Sequence, residues 1–360
     1  ACSCPGLLAW HWLGSHHFFV ATLGVSRSPK CEWRTPFARR TMSTTFPVRV
    51  KESAARGRDL VATRRIDAGD VVLTVAPFGI VPHDAFMLTV CCGCLQPCPL
   101  QRRCQGCAAV LLCADCATAG HRNALLHADE CASLRQLRDD PAVRPARDGG
   151  GPDRSEASSA VNVADSSGLR LLLRLIYARN RERSGLLPAL QLRNDAQDVI
   201  EDDTEAFESL EDNSHLFPTE LNEAISEAAA TAKYLVDPAA RASTADYSGI
   251  LARMFCNAFT LQQYRDPLRR TRQPKQEVGS GVFATAALIN HSCRPNAEVR
   301  LSEDGFLDVV AIRAVADGDT LSVSYLPLPL PGGGIEARRK ELKAAFFFDC
   351  DCGCGSGIGD

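Results

Sequence analysis

The chain has 360 residues, of which 45% are hydrophobic and 23% are charged, and its formal net charge is -3. This length and composition are typical of a globular protein with one full core and one or two small modules. The slight negative charge gives no general attraction to nucleic acid, and no apolar run approaches the roughly 18 residues that a membrane-spanning helix needs. We therefore expect neither direct nucleic-acid binding nor a membrane span.

Residues 1–47 carry no clear fold signal and are interpreted as a leader or a mis-included, disordered segment. Residues 1–41 contain one acid, Glu32, with several Arg and Lys, and Met42 opens MSTTFPVRV directly before the first strand pattern. Three interpretations of residues 1–41 stay open: upstream sequence wrongly included, an organelle transit peptide, or a folded extension. Without a transit peptide, we expect the protein in the nucleus, the cytoplasm or both.

The first fold signal is a set of short β-type runs between Val48 and Val81, broken by Gly57 and by the Ala-Gly-Asp turn at residues 68–70. These runs predict two hairpin-like strands within residues 48–90. They form the first part of a β domain that a cysteine-rich block then interrupts.

Nine of the chain's 17 cysteines fall between Cys91 and Cys131, most of them in Cys-x2-Cys pairs. This is metal spacing more than disulfide spacing, and a reducing compartment follows. The block has too few large apolar residues to build a core, so bound metal would supply its folding free energy. Two tetrahedral zinc ions need eight soft ligands, which here are Cys91, Cys94, Cys104, Cys107, Cys113, Cys116, His127 and Cys131. His121 is an open alternative to His127.

A linker and a helical segment follow the cysteine block. Residues 138–167 are rich in Gly, Pro, Ser, Asp and Arg, so the linker is predicted over residues 132–168. Residues 169–244 predict helices, and their first run, LRLLLRLIYA, is apolar nearly all round, so its two arginines would form the one exposed edge of a buried helix. The acidic run in residues 195–213 is typical of a solvated helix face or loop.

Strand patterns return in residues 245–326 and surround two distinctive stretches. Residues 279–296 read GSGVFATAALINHSCRPN, and a later stretch, DGDTLSVSY, ends at Tyr325. Asn290 alone could occupy a turn, and Tyr325 alone could be a core residue at a strand end. A third stretch, RRKELKAAFFFDCDC, lies in the tail of residues 327–360. The three stretches together form a far more specific pattern than any one of them.

This set resembles SET-domain protein-lysine methyltransferases, and the cysteine block narrows the resemblance to the SET-and-MYND (SMYD-type) subgroup. The resemblance implies an α+β protein with a β-rich SET fold of small sheets and a pseudoknot, formed by residues 48–90 and 245–326. A MYND zinc finger (91–131) and a helical segment (169–244) are inserted, and a short post-SET tail (327–360) follows. The implied activity is transfer of a methyl group from S-adenosylmethionine (SAM) to a lysine of a histone or another protein. The MYND resemblance further implies proline-containing peptide partners.

The resemblance also assigns roles to single residues. The implied catalytic residues are His291 and Tyr325, whose hydroxyl would face the reacting methyl group. The residues implied to hold SAM are Arg56, Arg58, Asn257, Asn290, His291, Tyr325 and Phe348. The lysine channel would be lined by Phe259 and Phe346. In the finger, one zinc would be held by Cys91, Cys94, Cys113 and Cys116, and the other by Cys104, Cys107, His127 and Cys131.

Two features depart from the family's pattern. Asp59 stands at the second glycine of an Arg-Gly-x-Gly-Leu strand, where a side chain could crowd SAM or repel its carboxylate by like charge. A third, post-SET zinc would use Cys293 with Cys350, Cys352 and Cys354, but the spacing is Cys-x-Cys-x-Cys instead of Cys-x-Cys-x2-Cys. These departures leave an alternative open, a catalytically weak SET and MYND scaffold that recruits protein partners.

Overall fold

The computed structural model describes residues 46–53, 57–140, 166–187, 199–264, 275–326 and 334–352. Arg56, Cys354, nearly all of the leader and much of the predicted linker lie outside these ranges. Within the described ranges, no helix combines the length and the apolar character that crossing a bilayer requires.

Strands and helices alternate in blocks along the described chain. The strands are β1 (Val48–Ser53), β2 (Gly57–Ala62), β3 (Val71–Ala76), β4 (Gly79–Pro82), β5 (Ile200–Glu201), β6 (Ala258–Tyr264), β7 (Lys275–Val282), β8 (Asn290–His291), β9 (Ala297–Leu301), β10 (Leu307–Ala311) and β11 (Ser322–Val323). The α-helices are α1 (Arg122–Asp139), α2 (Ser167–Arg183), α3 (Thr204–Glu208), α4 (Thr219–Leu235), α5 (Thr244–Asn257) and α6 (Ile335–Phe346).

The described strands form four small sheets. Strands β1 and β2 pair antiparallel, β4-β7-β6 form a three-stranded sheet, and β5-β3-β10-β9 form the largest one. The fourth sheet is a short parallel pair in which β8 lies beside β11. The predicted α+β architecture with small sheets is confirmed, and the parallel pair joins two segments that lie far apart in sequence.

Helix α2 is buried on every side from Leu169 to Arg179, including the side that carries Arg170 and Arg174. Arg170 and Arg174 are only 4% and 2% exposed, because Arg170 pairs with Asp84 and Arg174 with Glu130. The exposed edge predicted from the sequence is therefore wrong. A buried arginine needs an acidic partner, and both partners come from segments that the local sequence pattern of α2 does not include.

Helix α1 continues beyond the predicted end of the finger. It runs to Asp139, so residues 132–139 are helical and do not belong to a flexible linker. Ser133 explains part of this, because its hydroxyl donates to the carbonyl of Leu235 at 2.8 Å and lies 2.9 Å from the hydroxyl of Tyr177. Packing against the helical segment extends the helix into the first residues of the predicted linker. The other predicted domain limits stay predictions.

The cysteine block docks on the turn between β9 and β10. Gly305 in this turn has a φ of +80°, and a Cβ atom there would lie 2.6 Å from the Cα of Cys94. Only glycine satisfies both the left-handed conformation and the close approach. The amide of Gln96 donates to the carbonyl of Ser302 in the same turn at 3.3 Å. The block is therefore held against the strand core by a close approach of two backbones and by a hydrogen bond from a side chain to a backbone carbonyl.

The sequence predicts a solvated acidic run, but the run is not solvated throughout. Asp202 is 4% exposed, and its Oδ1 accepts hydrogen bonds from the backbone N–H of Thr285 at 3.0 Å and from its hydroxyl at 2.6 Å. Burial raises the pKa of Asp202 to about 6. Asp203 caps α3 by accepting from the N–H of Ala206. The run thus ties the helical segment to the residues that precede Asn290.

The raised pKa of Asp202 predicts a pH-dependent effect of Asp202→Asn on stability. The unfolded carboxyl ionises near its ordinary pKa of 3.8 and the folded one near 6, so stability falls as pH rises between these values and stays lower above them. Asparagine keeps an oxygen for Thr285 and carries no charge. We expect the variant to be more stable than wild type by about 2 to 3 kcal/mol at pH 8 and nearly equal at pH 4, measured by urea unfolding. Asp202→Ala should destabilise at both pH values, and a pH-independent gain in Asp202→Asn would contradict the prediction.

Candidate functional site

The parallel pairing of β8 and β11 brings the predicted catalytic residues into contact. In this pair Val323 lies opposite His291, and two residues later the backbone N–H of Tyr325 donates to His291 Nδ1 at 3.0 Å. The hydroxyl of Tyr325 donates to the carbonyl of Ile289 at 2.8 Å. The tyrosine is thus fixed at both ends by the segment that contains Asn290.

Both rings are held in their neutral forms. Burial, with a smaller contribution from the positive charge of Arg338, lowers the pKa of His291 to about 4. Burial and then the negative charge of Asp59 raise the pKa of the Tyr325 hydroxyl. Because His291 Nδ1 accepts a hydrogen bond, its Nε2 carries the ring proton, and this atom lies 3.3 Å from the sulfur of Cys293. His291 therefore positions Tyr325 and contacts the sulfur of Cys293, and it is not a charged acid at neutral pH.

Two aromatic rings of the tail close around Tyr325. The ring of Phe346 lies 5.1 Å from that of Tyr325, and the ring of Phe348 lies 6.2 Å from Tyr325 and 6.1 Å from His291. Helix α6 ends at Phe346, and Phe347 takes a left-handed conformation with a φ of 59°. Such a conformation is unusual for a bulky residue. It reverses the chain direction, so that Phe346 and Phe348 both face the tyrosine.

Asn290 contacts Arg58, one of the residues that line an open cleft. Its side-chain amide donates to the carbonyl of Arg58 at 3.0 Å and to Asp59 Oδ1 at 2.6 Å. The guanidinium of Arg58 donates to the carbonyl and the hydroxyl of Ser209 at 2.6 and 2.9 Å. The cleft has a volume of about 430 Å³ and is lined by Arg58, Asp203, Glu205, Ala206, Ser209, Ala284, Thr285 and Leu288.

Asn257 lies away from the tyrosine, whereas Phe259 belongs to the same buried cluster as Phe346. Asn257, at the end of α5, donates to the carbonyls of Glu211 and Arg253, both at 2.8 Å. Phe259, on β6, packs edge-on against Phe283 at 5.8 Å. The predicted roles of Asn257 and Phe259 therefore stay predictions. The sequence analysis missed Ser209, which lines the cleft, because an acidic run between helices gives no local signal for such a position.

The eight predicted finger ligands form two compact sets. The members of each set place their ligand atoms within 4.8 Å of one another, and the sets are Cys91, Cys94, Cys113, Cys116 and Cys104, Cys107, His127, Cys131. The sulfurs of Cys94 and Cys113 lie 3.9 Å apart and those of Cys104 and Cys131 lie 3.8 Å apart. A tetrahedral zinc with bonds of about 2.3 Å has sulfur–sulfur edges of about 3.8 Å, so both sets fit zinc.

The structure distinguishes between the two candidate histidines of the finger. His127 Nε2 lies 4.0 Å from the sulfur of Cys107, inside the second set. His121 instead precedes α1, and its Nδ1 accepts a hydrogen bond from the N–H of Asn123 at 3.1 Å. The arrangement favours His127 as the ligand and gives His121 the role of a helix cap.

A buried ion pair connects the second set to the core. His127 Nδ1 lies 3.7 Å from Glu130 Oε1, and Glu130 accepts two hydrogen bonds from Arg174 at 2.8 and 2.5 Å. Burial alone would raise the pKa of Glu130, but the positive charge of Arg174 holds it below its usual value. A carboxylate behind a metal-binding histidine fixes its orientation. The finger and helix α2 therefore share one charged network.

A third group of thiols lies beside His291. The sulfur of Cys293 is 3.9 Å from that of Cys350, and Cys352 lies 3.1 Å from Cys350 and accepts from the N–H of Cys293. His291, Cys293 and Cys350 are close enough to hold a metal. However, the ring proton on His291 Nε2 favours a hydrogen bond to the Cys293 sulfur over a metal bond. Cys354, the fourth predicted ligand, lies outside the described residues.

Metal analysis tests these three thiol groups. We expect three zinc ions per chain in wild type and two in Cys352→Ser, because that change removes one of only three thiols described at the post-SET site. Inductively coupled plasma mass spectrometry on purified protein gives this ratio. Cys256→Ser is the matched control and should keep three, since burial raises the pKa of Cys256 to about 12 and its sulfur donates to a carbonyl. Three zinc ions in Cys352→Ser would contradict the assignment.

Comparison with known proteins identifies the family. The SET domain family model matches residues 57–326. The chain is 25% identical to the mouse histone-lysine N-methyltransferase Smyd1 over 299 residues, which cover 79% of this chain and 51% of the mouse protein. It is 24% identical to a SET and MYND domain-containing protein of Dictyostelium discoideum over 319 residues, 81% of this chain and 57% of that protein. The structure of Rubisco LSMT bound to AdoMet is similar over 86% of this chain and 53% of the other, with 15% identity and a TM-score of 0.39.

The family match covers most of the chain, so the chain belongs to the SET-domain family. Its cysteine-rich insertion and its curated relatives make it a SMYD-type member of that family. The matches span about half the length of these curated relatives.

Proposed function

We propose that this protein is a SAM-dependent protein-lysine N-methyltransferase that acts on a lysine of a histone or another protein. The observation that carries the proposal is the contact between Tyr325 and His291, next to Asn290 and enclosed by the rings of Phe346 and Phe348. The named activity of the histone-lysine methyltransferase relative supports it. The substrate, and any proline-containing peptide that binds the finger, are part of the proposal.

The residues beside the cleft fit SAM. The cleft volume of about 430 Å³ lies within the range of small-molecule sites. Arg58 lines this cleft, and Asn290, which donates to the carbonyl of Arg58, would offer a polar group for an amino-acid tail. Phe348 lies beside His291 and Tyr325 and would offer an aromatic face for an adenine. An amino acid joined to a nucleoside is the kind of ligand that this set of groups would hold. Arg56 and Asn257 are further proposed contacts.

The chemistry requires alignment and a neutral amine. When bound, SAM would supply a methyl group on a positively charged sulfur. The lysine nitrogen would form a bond to the methyl carbon while the carbon–sulfur bond breaks. The electron pair of the broken bond would stay on sulfur. A lysine has an ordinary pKa of about 10.4, and the apolar surroundings of Phe346 and Phe259 would favour its uncharged form. The Tyr325 hydroxyl donates its hydrogen bond to the carbonyl of Ile289. Its oxygen lone pairs are then available for weak contacts that orient the methyl group.

Transfer of a labelled methyl group tests the proposal. Wild-type protein incubated with methyl-labelled SAM and a protein extract should label extract proteins, and acid hydrolysis should release the label as N-methyllysine. His291→Ala should label far less, because Tyr325 loses the acceptor for its N–H. Labelling that is equal in wild type and His291→Ala, or label recovered from an amino acid other than lysine, would refute the proposed site.

A second candidate function is a SMYD-type scaffold with little or no catalysis, which recruits protein partners. The contact between Asp59 and Asn290 favours it, because Asp59 occupies an amide donor that SAM would otherwise use. SAM binding separates the two candidates, since a scaffold of this kind would not need it.

A further inference from the structure

Asp59 is a buried acid at the edge of the proposed SAM site. It is 6% exposed, and its Oδ1 accepts a hydrogen bond from Asn290 at 2.6 Å. After burial, the negative charge of Asp59 is the second cause that raises the pKa of the Tyr325 hydroxyl. Asp59 therefore contacts the residue proposed to hold the amino-acid end of SAM, and its charge acts on the residue proposed to face the methyl group.

The described residues give this carboxylate a neutral partner. Among these residues, the amide of Asn290 donates a hydrogen bond to Asp59. No Lys or Arg side chain of the described residues forms a salt bridge with Asp59. A buried charge without an opposite charge is costly, and the cost falls when a cation binds beside it. The position therefore favours a cationic ligand over a neutral one of the same shape.

We propose that Asp59 is a specificity-determining residue that favours SAM over its product, S-adenosylhomocysteine. This inference rests on the proposed function. SAM carries a positive sulfur that the product lacks, so a nearby carboxylate strengthens binding of SAM more than binding of the product. The expected discrimination from one such charge in a partly buried site is on the order of tenfold. Asp59 then favours replacement of the bound product by SAM, in contrast to the repulsion of the SAM carboxylate that the sequence left open.

Calorimetric titration of the full chain with SAM and with S-adenosylhomocysteine tests this role. The ratio of the two dissociation constants, product over SAM, is expected to fall about tenfold in Asp59→Asn. The fall should come mainly from weaker SAM binding, because asparagine keeps the size of the side chain and an oxygen for Asn290. Asp67→Asn, a change of an acid whose side chain is 65% exposed, should leave the ratio unchanged. Circular dichroism of each variant checks that it is folded.

Each outcome decides the matter. An unchanged ratio in folded Asp59→Asn overturns the role of Asp59 while SAM binding by wild type still supports the proposed function. Tighter binding of SAM in Asp59→Asn or Asp59→Gly shows repulsion and also overturns it. If folded wild type binds neither compound, the proposed function fails, and the inference fails with it.

Discussion

Tyr325→Phe is expected to slow methyl transfer about 100-fold while SAM affinity changes by less than about twofold. Phenylalanine keeps the ring contacts with Phe346 and His291. It removes only the hydroxyl, which Ile289 fixes in place. An oriented oxygen at the reacting group acts on the rate, because its contacts matter most when the methyl group is in transfer. Single-turnover rates with labelled SAM, combined with separate calorimetric titration, distinguish slow transfer from weak binding.

Tyr247→Phe is the matched control for this prediction. Tyr247 is fully buried, and its hydroxyl accepts from the N–H of Ala242 at 3.0 Å, outside the proposed site. Its loss should cost about 1 kcal/mol of stability and leave the transfer rate unchanged. Equal rates for Tyr325→Phe and wild type, or a rate loss fully explained by weaker SAM binding, would contradict the assigned role.

The second large effect is expected from Glu130→Gln, which should lower the free energy of unfolding by about 3 to 5 kcal/mol. The change leaves the guanidinium of Arg174 buried at 2% exposure without its negative partner. It also removes the carboxylate that faces His127, so zinc should be lost from the finger more easily. Denaturant unfolding with and without a zinc chelator measures both effects.

A double variant shows how much of the stability lost in Glu130→Gln comes from the unpaired charge of Arg174 and how much from the zinc site. Glu130→Leu with Arg174→Met removes both charges and should recover most of the stability lost in Glu130→Gln, because a buried pair can often be replaced by apolar groups. The exposed pair of Arg65 and Asp67 is the matched control, and Asp67→Asn should cost less than about 1 kcal/mol. A loss below about 1 kcal/mol in Glu130→Gln would contradict the shared network.

Local spacing explains why the zinc sets could be predicted from the sequence. Cysteines in Cys-x2-Cys pairs can reach one metal from a single turn, so the pairs are recognisable without a partner strand. The choice between His121 and His127 could not be made in this way, because it depends on where α1 begins. The structure resolves it through the cap that His121 provides.

Long-range pairing explains what the sequence could not provide. Asp84 and Glu130 reach the arginines of α2 from other elements. Asp59 meets Asn290 from 231 residues away. The contact between His291 and Tyr325 depends on the parallel pairing of β8 with β11, and only the family resemblance predicts it. Composition and periodicity describe single elements and carry no information on such pairs.

Calorimetric titration of SAM into wild type and Asn290→Ala tests the central claim most directly. We predict one binding site per chain with micromolar affinity in wild type, and loss of most of this affinity in Asn290→Ala, because the alanine removes the amide at the edge of the cleft. A folded wild-type protein that shows no binding at high micromolar SAM, or an Asn290→Ala variant that binds as tightly as wild type, would contradict the account.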